Sequence, residues 1–286
     1  MRARDKVFSK DVLRNSVRQL LAALDYLHNE AHVIHTDLQP NNILMGVDNE
    51  PVFSEYEDEE LEHPVPRKVV GDRIIYLSRP LPLTFGPPVL CDLGEARLGD
   101  EEHQDDIMPD VYRAPEVILG MKWSYKVDIW NVAMVVWDLF EHDHLFRGRH
   151  AGNEYNDGYH LAEMVALLGP PPLDFLRKSE NSLQYWDKNG LYDLSLSTRI
   201  SASNGREDLV TRNFCAAADA FQSGNWRGLV PIPEANLEQL ERRLQGEDKD
   251  GFLQFVRRML CWMPEARPTA GEIIFDPWLM EGLFDP

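Results

Sequence analysis

Basic residues are scarce in this 286-residue chain: 29 lysines and arginines stand against 48 aspartates and glutamates, a formal net charge of -19. A chain of that sign repels a polyanion, so nucleic acid is not an expected partner and basic proteins are. Cysteine is scarcer still. Cys91, Cys215 and Cys261 are odd in number and far apart, which speaks against a disulfide framework or a zinc site and suits a reducing compartment. No apolar run approaches the roughly 20 residues of a membrane span. The longest charge-free run near a helix centre is Ile129 to Trp137, and the first residues, Met1-Arg2-Ala3-Arg4-Asp5, have no apolar stretch of a signal peptide. The expectation is a protein of the cytoplasm or nucleus with no membrane partner. No internal repeat is visible.

What is present is enough apolar side chain for a sizeable core, 43% of residues. Val12, Val17, Leu20, Leu21, Leu24 and Leu27 recur at helical spacing and predict an amphipathic helix over 11–29, with Ser9 or Asp11 as its cap. Val33-Ile34 and Ile43 to Met45 read as two small strands around a tight polar loop. Residues 46–90 are rich in proline and acid, with one strand-like run from Val69 to Leu77, and look like an excursion from the core. Trp130 to Phe140 predict a helix too apolar to lie on a surface. Leu161 to Leu168 continue the helical pattern until Gly169-Pro170-Pro171-Pro172 stops it. Residues 173–247 look irregular, with turn signals at Asn189-Gly190 and Asn204-Gly205. Phe252 to Trp262 and Ala270 to Ile274 predict two closing helices.

The negative charge is clustered. Residues 55–62 hold six acids in eight positions, and Glu95 to Val111 hold seven acids and a single arginine. The first run has the composition of a disordered segment.

The loop after the first helix reads His35-Thr36-Asp37-Leu38-Gln39-Pro40-Asn41-Asn42-Ile43-Leu44. It resembles the catalytic loop of eukaryotic protein kinases. Farther on, Cys91-Asp92-Leu93-Gly94 resembles the magnesium-binding Asp-Phe-Gly motif, and Ala114-Pro115-Glu116 the end of an activation segment. Asp128 before Ile129-Trp130, Arg267 in Ala266-Arg267-Pro268-Thr269 and Trp278 in Asp276-Pro277-Trp278-Leu279 follow in the same order. Taken singly, Asp37 reads as a turn residue, Asp92 as a helix cap and Arg267 as a solvated charge. Six such positions in one order favour the kinase reading.

The resemblance implies a mainly α fold, α+β by family: a kinase-like C-terminal lobe, a helical bundle with short β-hairpins around the catalytic loop, spread over residues 1–286. It implies ATP and Mg2+ as cofactors. Asp37 would accept the proton of a substrate hydroxyl and Asn42 and Asp92 would hold magnesium, with Leu44 under the adenine. His35 would have a structural place in the loop, Asp128 would brace the loop backbone, and Arg267 would pair with Glu116. Threonine after His35, leucine within the magnesium motif and Leu167-Leu168-Gly169-Pro170-Pro171-Pro172 before a long insert resemble the SR-protein kinase branch. That branch phosphorylates serines in arginine-rich repeats, so a basic, Arg/Ser-rich protein is the expected substrate. The acids at 95–110 then read either as its docking surface or as a solvated loop.

Several departures qualify this reading. Gln39 stands where serine/threonine kinases usually carry lysine, and Pro109 where they usually carry the threonine that meets it. Thr36 replaces the arginine that clamps an activating phosphate in many kinases, and Gly94 to Tyr112 contains no hydroxyl residue between its ends, so a fixed activation segment is expected. No glycine-rich loop precedes residue 11, and the expectation is that the N-terminal lobe is absent, leaving a weak or inactive half-kinase. A separate N-lobe-like partner is then a candidate. The alternative is a half-kinase or pseudokinase that docks basic partners. A metal site at Glu141-His142-Asp143-His144 is a distant third reading.

Overall fold

The first helix, α1, runs from Lys10 to Asn29 and is capped by Ser9, whose hydroxyl accepts from Val12 N. Its buried stripe is Leu13, Val17, Leu20, Leu21 and Leu24, while Val12 is exposed. The 3.6-residue period that places Leu13 and Val17 inward turns Val12 outward. The computed structural model describes residues 7–48, 51–80, 86–99, 101–141, 143–149, 154–187 and 225–283. Asn189-Gly190, Asn204-Gly205 and Cys215 lie outside them.

After α1 come β1 (Val33–Ile34), a 3-10 turn at Pro40–Asn42 and β2 (Ile43–Met45). The two strands do not pair with each other. β1 pairs antiparallel with β6 (Arg97–Leu98), and β2 with β5 (Pro88–Leu90). Two short ladders therefore clamp residues 35–42 against residues 91–96, which lie far off in sequence.

The 46–90 excursion holds structure where the composition predicts disorder. Pro51–Glu62 form a helix, α2, although residues 55–62 are almost all acid. Glutamate and leucine are good helix formers, Val52 is buried, and Arg79 pairs with both Glu59 and Glu60. Glu60 also accepts from Val65 N at 2.9 Å. Local propensity with two compensating contacts outweighs the like-charge repulsion. The expected strand over 69–77 is a hairpin, β3 (Arg67–Val70) and β4 (Arg73–Tyr76), turned at Gly71 with φ +62°.

Beyond β6 come α3 (Pro115–Ile118) and the central helix α4 (Lys126–Phe140). From Val127 to Trp137 every residue of α4 is buried. Each large apolar side chain so covered contributes about 1.5–3 kcal/mol. α5 (Asp157–Leu168), α6 (Leu173–Leu176), α7 (Leu237–Leu240), α8 (Gly246–Met259), α9 (Ala270–Ile273) and α10 (Pro277–Met280) complete the bundle. α1 packs on α4, α9 and α10, and α8 packs on α4 and α10. Arg14 locks α1 to the C-terminal end: it pairs with Glu281 and lies 4.7 Å over the Trp278 ring. Thr269 and Glu272 form a reciprocal capping box at the start of α9. Among the described residues no helix is long and apolar enough to cross a membrane.

On α5, His160 is fully buried between Phe146 and Tyr155, with Nδ1 2.9 Å from the Tyr155 hydroxyl. Burial, reinforced by the nearby Arg113 cation, pushes its pKa down from 6.5 to about 3. The folded state therefore holds this ring neutral while the unfolded chain protonates it near its ordinary value. Stability from this group is complete above pH 6.5 and is lost as pH falls toward 3. The expected slope is up to about 1.4 kcal/mol per pH unit. Urea melts between pH 7 and pH 4 check this: His160→Gln should flatten that part of the profile.

Candidate active site

Loop residues 35–42 take their shape from a carboxylate in the core. Asp128, in the first turn of α4, is wholly buried, and its Oδ2 accepts from His35 N at 2.8 Å and Oδ1 from Thr36 N at 2.9 Å. His28, near the end of α1, places Nε2 2.8 Å from Oδ2. Those bonds hold Thr36 at φ +65°, a left-handed conformation that costs a β-branched residue on the order of 1–3 kcal/mol. The Thr36 hydroxyl donates to Glu95 O at 2.6 Å, and His35 Nε2 sits 3.1 Å from Cys91 O. Both contacts tie the loop to the segment after β5.

Asp37 is half-buried at the tip of the loop, with its oxygens engaged separately. Gln39 Nε2 donates to Oδ1 at 2.9 Å and Asn42 Nδ2 to Oδ2 at 2.7 Å. Asn42 Nδ2 also reaches Asp37 O at 2.8 Å. Cys91 N donates to Asn42 O at 2.9 Å, so the β2–β5 ladder sets Asp92 just beyond Asn42. Asp92 is exposed at φ +67° and accepts weakly from Gly94 N at 3.4 Å. Leu44, on β2, is 56% exposed, with Met45 and Val89 exposed beside it.

A cleft of about 310 Å³ opens beside Asp37 and Gln39 and is lined on its far side by Glu95, Asp106, Pro109 and Arg113. Gln39 and Pro109 thus lie in one cavity. Arg113 pairs with Asp106 at 2.9 Å and approaches Asp110 at 3.5 Å.

Several residues that order this wall are not among those the motifs single out. Arg97 donates to Asp105 at 2.9 Å and to Glu95 O at 2.5 Å. His103 stacks on Trp123 with ring centroids 4.7 Å apart, and Trp123 Nε1 donates to Asp105 O at 2.9 Å. Asn131 of α4 donates to Tyr112 O at 2.7 Å. The acids of 95–110 are therefore partly paired, to Arg97, Arg113 and, for Glu102, Lys122. The sequence signal for Arg97 was its isolation among seven acids; nothing comparable marks His103 or Asn131.

Glu116 and Arg267 meet in the core, both essentially unexposed, through two bonds of 2.5 and 2.7 Å. Arg267 also donates to Cys261 O and Lys126 O and lies 5.1 Å over the Trp130 ring. At 141–144, Asp143 pairs with Arg147 and His144 with Asp138, and burial beside Glu241 pushes the Glu141 carboxyl above its usual range. His142 lies outside the described residues. Among those residues no group of three metal-ligating side chains is assembled.

A loop carboxylate oriented by an asparagine, beside a second exposed carboxylate and an ion-paired segment after it, is the layout of a phosphoryl-transfer site of the protein-kinase type. The sequence profile of the protein kinase domain matches residues 1–54 and 85–279, and the chain belongs to that family. Residues 55–84, which carry most of α2 and the β3–β4 hairpin, are the one internal stretch outside it, and residues 280–286 lie beyond its end. A serine/threonine protein kinase of Aspergillus fumigatus is 45% identical over 276 residues, 95% of this chain and 58% of that protein. The serine/threonine-protein kinase SRPK of Physarum polycephalum is 26% identical, over 92% of this chain and 59% of its own length. The serine/threonine-protein kinase AFC1 of Arabidopsis thaliana is 33% identical over 65% of this chain and 36% of its own length. The chain thus spans little more than half the length of the first two relatives.

Replacing Arg267 by alanine leaves Glu116 buried without its counter-charge, and the expected loss is about 3–5 kcal/mol. Chemical denaturation checks it; a loss under about 1 kcal/mol would show that Glu116 finds another partner or protonates at little cost.

Proposed function

We propose that the chain is the catalytic portion of a protein serine/threonine kinase that transfers phosphate from ATP to a hydroxyl in basic, Arg/Ser-rich proteins. The observation that carries the reading is the geometry of Asp37: one oxygen held by Asn42, the other by Gln39, at the mouth of the acid-lined cleft.

The donor set fits magnesium. Mg2+ takes oxygen ligands and is commonly held by one or two protein groups together with nucleotide phosphates. Asp92 accepts one long hydrogen bond, and the Asn42 amide turns its nitrogen to Asp37, which leaves its carbonyl oxygen for a cation. Bound Mg-ATP supplies the phosphoryl group and the neutralisation of its charge. Within the chain, Asp37 orients a substrate hydroxyl and accepts its proton. Glu95 and Asp106, on the facing wall, attract guanidinium side chains of the substrate. Leu44 and Val89, opposite each other on the β2–β5 ladder, offer an apolar floor for the adenine, to be closed by a second body, either from a longer form of the polypeptide or from a separate N-lobe-like partner.

Gln39 limits the rate. Its amide orients Asp37 but brings no positive charge to the transferring phosphoryl group. That absence costs on the order of 3 kcal/mol of transition-state stabilisation, roughly a hundredfold in rate. For the 286-residue chain acting alone, the expectation is weak turnover or none. Gln39 and Pro109 also favour a second reading, a pseudokinase that docks basic partners through the same cleft.

Phosphate transfer from labelled ATP to an arginine-serine peptide, measured with the second body that closes the site over Leu44 supplied, decides between the two readings. The enzyme reading expects Asp37→Asn to abolish transfer and Gln39→Lys to raise it about 10- to 100-fold. Equal transfer by Asp37→Asn would remove Asp37 from the mechanism, and peptide binding without transfer in either form would establish the docking module. In a thermal-shift titration, stabilisation by Mg-ATP that is lost in Asp92→Ala would show that the chain alone binds nucleotide.

A further inference from the structure

The β3–β4 hairpin is an anomaly for a folded chain. Every residue of both strands is exposed, yet the strands carry Val69, Val70, Ile74, Ile75 and Tyr76, and Leu77 follows at 63% exposure. A lone two-stranded hairpin is marginal in water, and an apolar surface of this kind ordinarily marks a contact site. The hairpin also belongs to the stretch that the kinase profile leaves unmatched, so catalysis does not account for it.

Charge narrows the choice of partner. In a chain of net charge -19, residues 67–79 hold Arg67, Lys68, Arg73 and Arg79 against Asp72 alone. The acids nearest in sequence are those of α2, and Glu59 and Glu60 sit against Arg79 just past the end of β4. The hairpin is thus a basic, apolar edge beside an acidic helix, which is a self-complementary arrangement.

The two edges are not equivalent. β3 begins with Arg67 and Lys68, charges that blunt an edge against pairing. β4 carries Arg73, Ile74, Ile75 and Tyr76. A two-fold axis through Ile75 pairs β4 antiparallel with its own copy, setting Ile75 against Ile75, Ile74 against Tyr76 and Arg73 against Leu77. No like charges face one another, and opposed residues share a face. The same register carries Arg73 of each copy toward the end of the strand where Glu59 and Glu60 of the other copy lie.

We propose that the open edge of β4 is a homodimerisation surface, on which two copies of this chain build the four-stranded antiparallel sheet β3-β4-β4-β3. The contact is isologous. It extends each marginal hairpin to four strands and covers the backbone donors and acceptors that β4 otherwise leaves to solvent. Because it lies outside the catalytic loop, it stands or falls independently of the kinase reading.

Sedimentation velocity on the full chain is the test. A concentration-dependent dimer is expected, weakened by added salt. Ile75→Glu sets two glutamates face to face on the axis while opposing Lys68 within its own hairpin, and should weaken the dimer by about tenfold or more. Because residue 75 is exposed, the melting temperature of the monomer should not change. Asp72→Asn, in the turn, should leave the dimer intact. A wild-type chain that stays monomeric at about 100 µM would overturn the proposal. A dimer indifferent to Ile75→Glu would overturn it equally.

Discussion

The carboxylate of Asp128 sits where three parts of the chain meet, and the rest of the structure depends on what it accepts. It belongs to the most deeply buried helix, receives the His28 ring from α1, and takes the amides of His35 and Thr36 from the loop. A buried carboxylate is tolerable only when its lone pairs are filled, and here the fillers are the groups that must be fixed for Asp37 to point into the cleft. One desolvated charge thus converts core packing into loop geometry, including the left-handed turn at Thr36 that the loop would not adopt alone.

From that anchor the organisation spreads outward through weaker, more exposed contacts. Thr36 holds Glu95, Arg97 joins Glu95 to Asp105, and the His103–Trp123 stack ties the middle of the segment to the bundle. A segment of many acids is held by the two arginines and the lysine within reach of it. The same stretch offers no hydroxyl between Gly94 and Tyr112 for a phosphate to occupy. The Glu116–Arg267 pair secures the far end. It acts through geometry more than through net energy, because desolvation cancels much of the Coulombic gain of such a pair.

The elements with strong periodicity were legible in the sequence to within a few residues. α1 and α4 fall where the apolar spacing puts them, since burial of a stripe or of a whole helix leaves a pattern in the chain. One reading went astray, and another was right but incomplete. The acidic run at 55–62 is helical because helix propensity and the distant Arg79 outweigh repulsion between neighbours. Val33-Ile34 and Ile43 to Met45 are strands as read, but their partners lie more than forty residues away, and no local rule identifies a remote partner.

The loop residues proposed for phosphoryl transfer and the order of the motifs were legible in the sequence, because residue type and spacing carry them: a carboxylate and an asparagine five apart, a second carboxylate, and a glutamine in place of a cation. So was the absence of a hydroxyl side chain between Gly94 and Tyr112. Tertiary structure decided which of the many acids line the cleft, that Gln39 holds Asp37, that Arg97 and Arg113 neutralise part of the facing wall, and that the hairpin projects uncovered. Those outcomes depend on which groups share a desolvated space, and burial and pairing across long sequence separations arise only when the chain has closed on itself.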